Sequence, residues 1–239
     1  NELFTNGISY ADLAVRPHER VALMRLLLCI SHAALGGPED VEEWQKVPML
    51  LPVKSKSYLK KWEDSFDLFS VDKPFLQIPG LVKAPKLKKE SEKDADSGEE
   101  EYLSIGKLDF TLASANNPTL FDHSALSDTP RKYNPADIAV QLLAFQNFFL
   151  AGGKTSSMIW GGEALDVKPP NPGDGPCSPS SMYHCYIRGN SILETIHMNL
   201  ITKNDLSIHY NSFDTEWLGY PIWEKFPIKR SDVDYIKNA

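Results

Sequence analysis

The stretch from Leu112 to Lys154 constrains this chain most. Asn134-Pro135 sets a capping amide directly before a first-turn proline, and Asp137 follows where a helix N-terminus favours negative charge. Ile138, Leu142, Phe145 and Phe149 then recur at i+4, i+3 and i+4, the spacing of one apolar helix face. Gly152-Gly153 closes the pattern, glycine being suited to the left-handed position past a helix end. Ahead of the helix lies LASANNPTLFDH (112–123), led in by a short strand expected over Leu108 to Leu112. Its Asn116-Asn117-Pro118 favours turns, and its side-chain amides can bond backbone or ligand. A polar loop, a helix and a bare glycine turn suit contact with a nucleic-acid backbone. Glycine lets a backbone approach closely, and its N–H groups can meet phosphates or base edges. Minor-groove readout needs few such donors, because the pattern there is degenerate. Loops of this composition also occur as ordinary turns, and the residues alone leave both readings open.

Elsewhere the chain alternates helix signals with loops. Pro17 and Glu19 open a helix, Val21, Met24, Leu27 and Leu28 give its stripe, and Gly36-Gly37-Pro38 stops it. The stripe is broad enough to predict burial. A second helix is expected from Glu39 to Lys46, ending before Pro48, and a third on Leu59, Trp62, Phe66 and Phe69, read as core. Pro74 to Gly80 reads as an extended segment closed by a turn. Residues 83–101 pass from Lys83, Lys86, Lys88 and Lys89 into an acidic run, and predict a mobile charged surface loop. Gly161 to Pro179 is expected to be irregular, and Tyr183 to Ile187 to form a strand. Ser191 and Glu194 make a capping-box pattern before a helix with Ile192, Ile196 and Leu200 on one face. A strand over 206–210 and a packed loop over Asp214 to Pro227 complete the chain. The expectation is α+β: a mainly helical, irregular domain with small antiparallel sheets and long loops.

Composition narrows the function. The net charge is −7, whereas a free-standing DNA-binding domain is usually basic, so a nucleic-acid role needs local groups or a larger assembly. Three cysteines, Cys29, Cys177 and Cys185, without a CxxC pair, fit a reducing, cytoplasmic setting. No apolar run has the length of a membrane helix. Gly153-Lys154-Thr155 resembles the end of a P-loop, but Phe148 stands where the motif needs glycine. Cys177, His184 and Cys185 lack zinc-site spacing. His123 lies beside Asp122 and Ser124, yet triad members converge in space and not in sequence. His197 reads as a satisfied core histidine. No metal, cofactor or catalytic set is expected.

The loop LASANNPTLFDH, the helix ADIAVQLLAFQNFFLAGG and the segment RGNSILETIHMNL resemble the CasA family, the large subunit of the type I-E CRISPR surveillance complex, Cascade. ERVALMRLLLCISHAAL and KPFLQIPG fit the same family in the same order. The resemblance covers most of residues 1–225. It implies a non-catalytic antiviral-defence subunit that reads the protospacer-adjacent motif on double-stranded target DNA, helps open the duplex and recruits a helicase-nuclease. Base pairing with the guide CRISPR RNA then reads the long sequence and the protein only a short tag. Other Cascade subunits are implied partners, and no membrane. On this resemblance the loop including Ala113, Ser114, Ala115, Asn116, Asn117, Thr119 and Phe121 meets the guide's 5′ end and neighbouring subunits. Gly152 and Gly153 correspond to a glycine loop that approaches the motif duplex in the minor groove. That loop is shorter in glycine than in some relatives. Lys154 is added as a phosphate contact on its charge alone. Residues 1–239 then form an N-terminal domain, expected to be a fragment, with the family's wedge and C-terminal helical bundle beyond it. Two other classes stay open: a purely structural bridging subunit, and a hydrolase using His123 or His184.

Overall fold

The computed structural model describes residues 1–83, 105–108, 132–148, 158–165, 184–209, 220–228 and 232. Helices dominate them. The chain divides into two compact units, Asn1–Pro79 with Ser181–Ala239, and Gly80–Ser180.

In the first unit a short helix α1 (Glu2–Thr5) and a 3-10 turn (Gly7–Ser9) precede α2 (Pro17–Leu35). The Glu19 carboxylate accepts from the Arg16 backbone N–H at 3.0 Å and from Arg16 Nε at 2.8 Å, closing the first turn. At the other end Gly36 adopts φ 77°, and the N–H groups of Gly36 and Gly37 share the His32 carbonyl. That left-handed conformation is why glycine stands there. The expected start and stop of this helix both hold. Ala22, Met24, Leu27 and Ile30 are buried.

The expected break before Pro48 does not occur. One helix, α3 (Val41–Lys61), runs straight through Pro48 and Pro52, and Asp40 caps it by accepting from the Glu43 N–H at 2.9 Å. A proline at 48 removes the N–H that would bond the Trp44 carbonyl, ordinarily a loss of ~3 kcal/mol or more. Here that carbonyl is not orphaned: His197 Nε2 lies 2.9 Å from it and, facing a carbonyl, carries the proton. The Trp44 ring stacks on the His197 ring at 3.9 Å, and its Nε1–H donates to the Leu200 carbonyl at 3.0 Å. At Pro48 a residue far along the chain supplies the missing donor. His197 is thus a partnered, half-buried histidine.

The helix carrying His197, α5 (Ile192–Met198), starts as expected, with the Ser191 hydroxyl accepting from the Glu194 N–H at 3.2 Å. Glu194 itself reaches back to the Asn190 N–H rather than to Ser191. Ile192, Ile196 and Leu200 are all buried. Two expected strands are absent from the described residues. Over 206–209 the chain is instead in α6 (Lys203–His209), because Thr202 accepts from the Asp205 N–H at 3.0 Å and donates to its carboxylate at 2.7 Å, and residue 210 lies outside the described residues. Residues 184–187 are irregular. Ile187 exchanges both backbone bonds with the Asn199 side-chain amide, which takes the place of a neighbouring strand.

The core of this unit joins Phe4, Leu27, Ile30, Val47, Leu51, Ile192 and Ile196. Phe66 packs on Phe75 and on Trp223, each at 5.2 Å between ring centroids. Leu59, Trp62 and Phe66 lie against the core as expected, but Phe69 is 66% exposed, because the helix has ended before it and the periodicity no longer applies. Pro74 to Gly80 is not extended. The Gln77 N–H donates to the Pro74 carbonyl and Leu76 takes φ 54°, a bend that leaves Phe75 buried.

In the second unit α4 (Pro135–Phe148) begins with Asn134 Oδ1 accepting from the Ala136 N–H at 3.0 Å. Leu142, Leu143 and Ala144 are buried. The helix packs against a 3-10 turn, Ile105–Leu108. Leu108 therefore ends a turn instead of starting a strand, and 109–112 lie outside the described residues. Strands β1 (Val82–Lys83), β2 (Met158–Trp160) and β3 (Glu163–Leu165) form an antiparallel sheet in that order. Lys83, expected to begin the mobile loop, pairs with Met158. The segment expected to be irregular from Gly161 opens as a hairpin. Trp160 pairs with Glu163 across Gly161 (φ 59°) and Gly162 (φ 80°). Two successive positive φ angles give the primed turn that matches strand twist, and two glycines adopt it without strain.

Candidate nucleic-acid interface

The residues singled out from the sequence, Ala113, Ser114, Ala115, Asn116, Asn117, Thr119, Phe121, Gly152, Gly153 and Lys154, lie outside the described residues, as does His123. What the structure describes is their anchoring. The stretch with Ala113 to Phe121 runs between the turn ending at Leu108 and the N-terminus of α4. The stretch with Gly152 to Lys154 runs between Phe148, the last residue of α4, and Met158, the first of β2. Both candidate stretches are thus tethered to opposite ends of one helix about 21 Å long. The Asn134 cap fixes the first tether and the glycine turn of the hairpin fixes the strand that receives the second.

Three ionisable groups of the first unit, Cys29, His32 and Tyr58, are shifted toward their neutral forms. Desolvation first, then the Glu224 carboxylate, push the Cys29 thiol up to about 11 against the opposing pull of Arg25, although part of the residue is exposed. At neutral pH it is a thiol, whereas the thiolate is the nucleophile. Burial lowers His32 to about 4, and its Nδ1 has no hydrogen-bond partner, so it stays neutral. Desolvation and a hydrogen bond to Glu224 raise the Tyr58 hydroxyl, which also accepts from Trp223 Nε1 at 2.6 Å. It is held as a structural donor. A cleft of about 450 Å³ is lined by Met24, Arg25, Leu28, His184 and Cys185 among others. Among the described residues that line it there is no carboxylate. Among the described residues no three His, Cys, Asp or Glu side chains gather as metal ligands, and no helix is long and apolar enough to cross a membrane.

Charge is placed more usefully on α3. Lys46, Lys56 and Lys60 share its exposed side with Met49 and Val53. The sequence hides this face, because a helix divided at Pro48 gives those lysines no common register.

The model of the family described as CRISPR-associated protein Cse1 matches residues 1–238. A CRISPR-associated protein CasA/Cse1 of Thermus thermophilus is 33% identical over 221 residues, covering 91% of this chain and 36% of that protein. The structure of Cse1 from Thermobifida fusca is similar with a TM-score of 0.70 at 21% identity, over 98% of this chain and 41% of that one. That of Thermus thermophilus CasA (Cse1) gives 0.58 at 24% identity, over 97% of this chain and 39% of that one. The chain therefore spans well under half the length of the relatives it matches.

Proposed function

The chain belongs to the CRISPR-associated Cse1 family, and from that premise we propose that it works as a non-catalytic subunit of a type I-E, guide-RNA-bound Cascade complex in the cytoplasm. In this reading it recognises the protospacer-adjacent motif on double-stranded DNA, helps open the duplex and recruits the helicase-nuclease. Gly152 and Gly153 approach the minor groove and Lys154 meets a phosphate. The loop with Ala113 to Phe121 contacts the guide RNA's 5′ end and neighbouring subunits. An α+β domain with small antiparallel sheets is part of the reading, supported by the β1–β2–β3 sheet.

The observation that carries it is the family match over residues 1–238. Two features support the finer points. Glycines 152 and 153 occupy the short span between Phe148, the last residue of α4, and β2, whose Met158 is paired in the sheet. Cys29, His32 and Tyr58 are each held in their neutral form, which favours binding over covalent catalysis.

The test is reconstitution with the remaining guide-RNA-bound subunits, followed by duplex binding with and without the correct adjacent motif. Gly152→Leu with Gly153→Leu is expected to abolish the motif dependence while the complex still assembles. Unchanged motif-dependent binding overturns the glycine-loop reading. The net charge of −7 favours a second reading, a purely bridging subunit without DNA contact. Phosphate contact weakens steeply as salt rises, so affinity for DNA contributed by this chain but insensitive to salt selects the bridging role.

A further inference from the structure

Helix α3 presents two faces of different chemistry. Trp44, Val47, Leu51, Ser55 and Tyr58 follow at helical spacing and turn toward the core. On the opposite side Lys46, Met49, Val53, Lys56 and Lys60 follow at i+3, i+4, i+3 and i+4, one continuous stripe about 21 Å long. Met49 is 74% exposed, Val53 68% and Leu50, beside them, 44%. These are aliphatic side chains left in water at the centre of the stripe. Lysines bound them at both ends. Between Trp44 and Trp62 there is no Asp or Glu, in a chain of net charge −7. Among the described residues no carboxylate pairs with Lys46, Lys54, Lys56 or Lys60.

We propose that this face of α3 docks an apolar surface rimmed by Asp and Glu on another protein subunit of the assembly. The inference rests on the surveillance-complex reading for where the partner is found. Charge complementarity selects the partner's chemistry, because a rim of carboxylates pairs the lysines while Met49, Leu50 and Val53 lose water against an apolar centre. A second copy of this chain does not fit. Two-fold packing of the stripe on itself sets Lys46 against Lys60 and Lys60 against Lys46. A nucleic-acid backbone fits poorly as well, since the middle of the stripe offers three aliphatic groups where phosphates need donors. The rigidity of the face is built in: two prolines restrict its backbone, and the His197 bond to Trp44 holds the helix continuous beneath the stripe.

Two sets of substitutions in the complete protein test this. One is Lys46→Glu with Lys56→Glu and Lys60→Glu, with the same three positions changed to Gln as a milder form. The other is Met49→Ser with Val53→Ser. Each protein is mixed with the purified guide-RNA-bound remaining subunits, and its affinity and thermal midpoint are measured. Both sets are expected to weaken association about tenfold or more, the Glu set most and the Gln set least, with the midpoint unchanged. Unaltered affinity in either the Glu or the Ser set overturns the proposal. So does a loss confined to the lysine sets and matched by lost binding to free RNA or duplex DNA, which makes the face a nucleic-acid surface. If the unsubstituted protein does not associate at all, the surveillance-complex reading falls and takes this one with it. Association that survives every substitution removes the docking face alone.

Discussion

In the unit formed by Asn1–Pro79 and Ser181–Ala239, side chains tie together residues far apart in sequence; in Gly80–Ser180 most of the described structure is local. The first unit depends on His197 serving the Trp44 carbonyl, on Trp44 serving the Leu200 carbonyl and on Tyr58 bonding Glu224. The second unit has a helix capped by the residue before it and a hairpin closed by two glycines, with β1 as the one distant strand pairing among the described residues. All ten residues proposed for nucleic-acid contact fall within the second unit's range. The difference teaches a division of labour. Distant ties make a cooperative frame that resists local change, while locally specified elements can carry long connecting stretches without the frame depending on them.

Emptying the centre of the frame tests that division with the largest effect. Leu51 is fully buried, and Leu51→Ala is expected to cost ~2–5 kcal/mol. Hydrogen exchange is the informative measurement, because it reports stability element by element. Amides of α2, α3 and α5 should lose protection while those of α4 and the hairpin keep theirs. Equal loss in α4 makes the two units one cooperative body and ends the comparison.

Acid distinguishes the units next. His32 belongs to the frame and its folded value, about 4, lies below the ordinary 6.5. Its neutral form is the one the folded state holds. Above about 6.5 both folded and unfolded states leave it neutral and it has no effect. As pH falls from 6.5 toward 4 only the unfolded state takes the proton, so stability is lost, reaching at most ~3 kcal/mol near pH 4. His32→Leu should flatten the denaturation midpoint between pH 6.5 and 5, a window above ordinary carboxylate titration. A slope retained in that variant assigns the effect to another group.

Smaller, and aimed at a single distant tie, is the pairing of His197 with Pro48. His197→Ala leaves the Trp44 carbonyl without its donor and removes the ring stacked on Trp44, at an expected ~1–3 kcal/mol. Pro48→Ala restores a backbone N–H that can take that carbonyl instead. The cost of losing His197 should therefore shrink by about 1 kcal/mol in the Pro48→Ala background. Simple additivity means the histidine and the proline do not compensate each other.

These ties also explain what the sequence reveals and what it conceals. Helices α2, α4 and α5 are legible because their signals are local: Pro17 with Glu19, Asn134 with Pro135, Ser191 with Glu194. Helix α3 is illegible as one element because the Trp44 carbonyl, which Pro48 leaves without its usual donor, is served by His197, 153 positions from Trp44. The alternation from Tyr183 to Ile187 suggests a strand, but the backbone bonds of Ile187 go to the Asn199 side chain, which no periodicity records. Two misses were local and readable. Thr202 and Asp205 form a helix-start pattern just before the expected strand, and Gly161-Gly162 between Met158-Ile159-Trp160 and Glu163-Ala164-Leu165 is a hairpin signal. The candidate contact residues are legible only through chemistry and resemblance, since small, amide and glycine residues carry no packing periodicity.

The smallest effect belongs to that hairpin. Gly162 sits at φ 80° with open space where a side chain would go, so any penalty for a larger residue is conformational and not steric. Gly162→Ala is expected to cost ~1 kcal/mol, and Gly162→Asn less, because asparagine tolerates the left-handed region. The loss should appear as faster exchange of amides in β2 and β3, with the frame's protection unchanged. Because β2 receives the stretch carrying Gly152, Gly153 and Lys154, the alanine variant should also soften motif-dependent DNA binding in the assembled complex. Asparagine should restore much of it. Faster exchange in the hairpin with fully retained DNA binding would separate the anchor from the loop. The proposed contact would then owe nothing to the sheet that follows it.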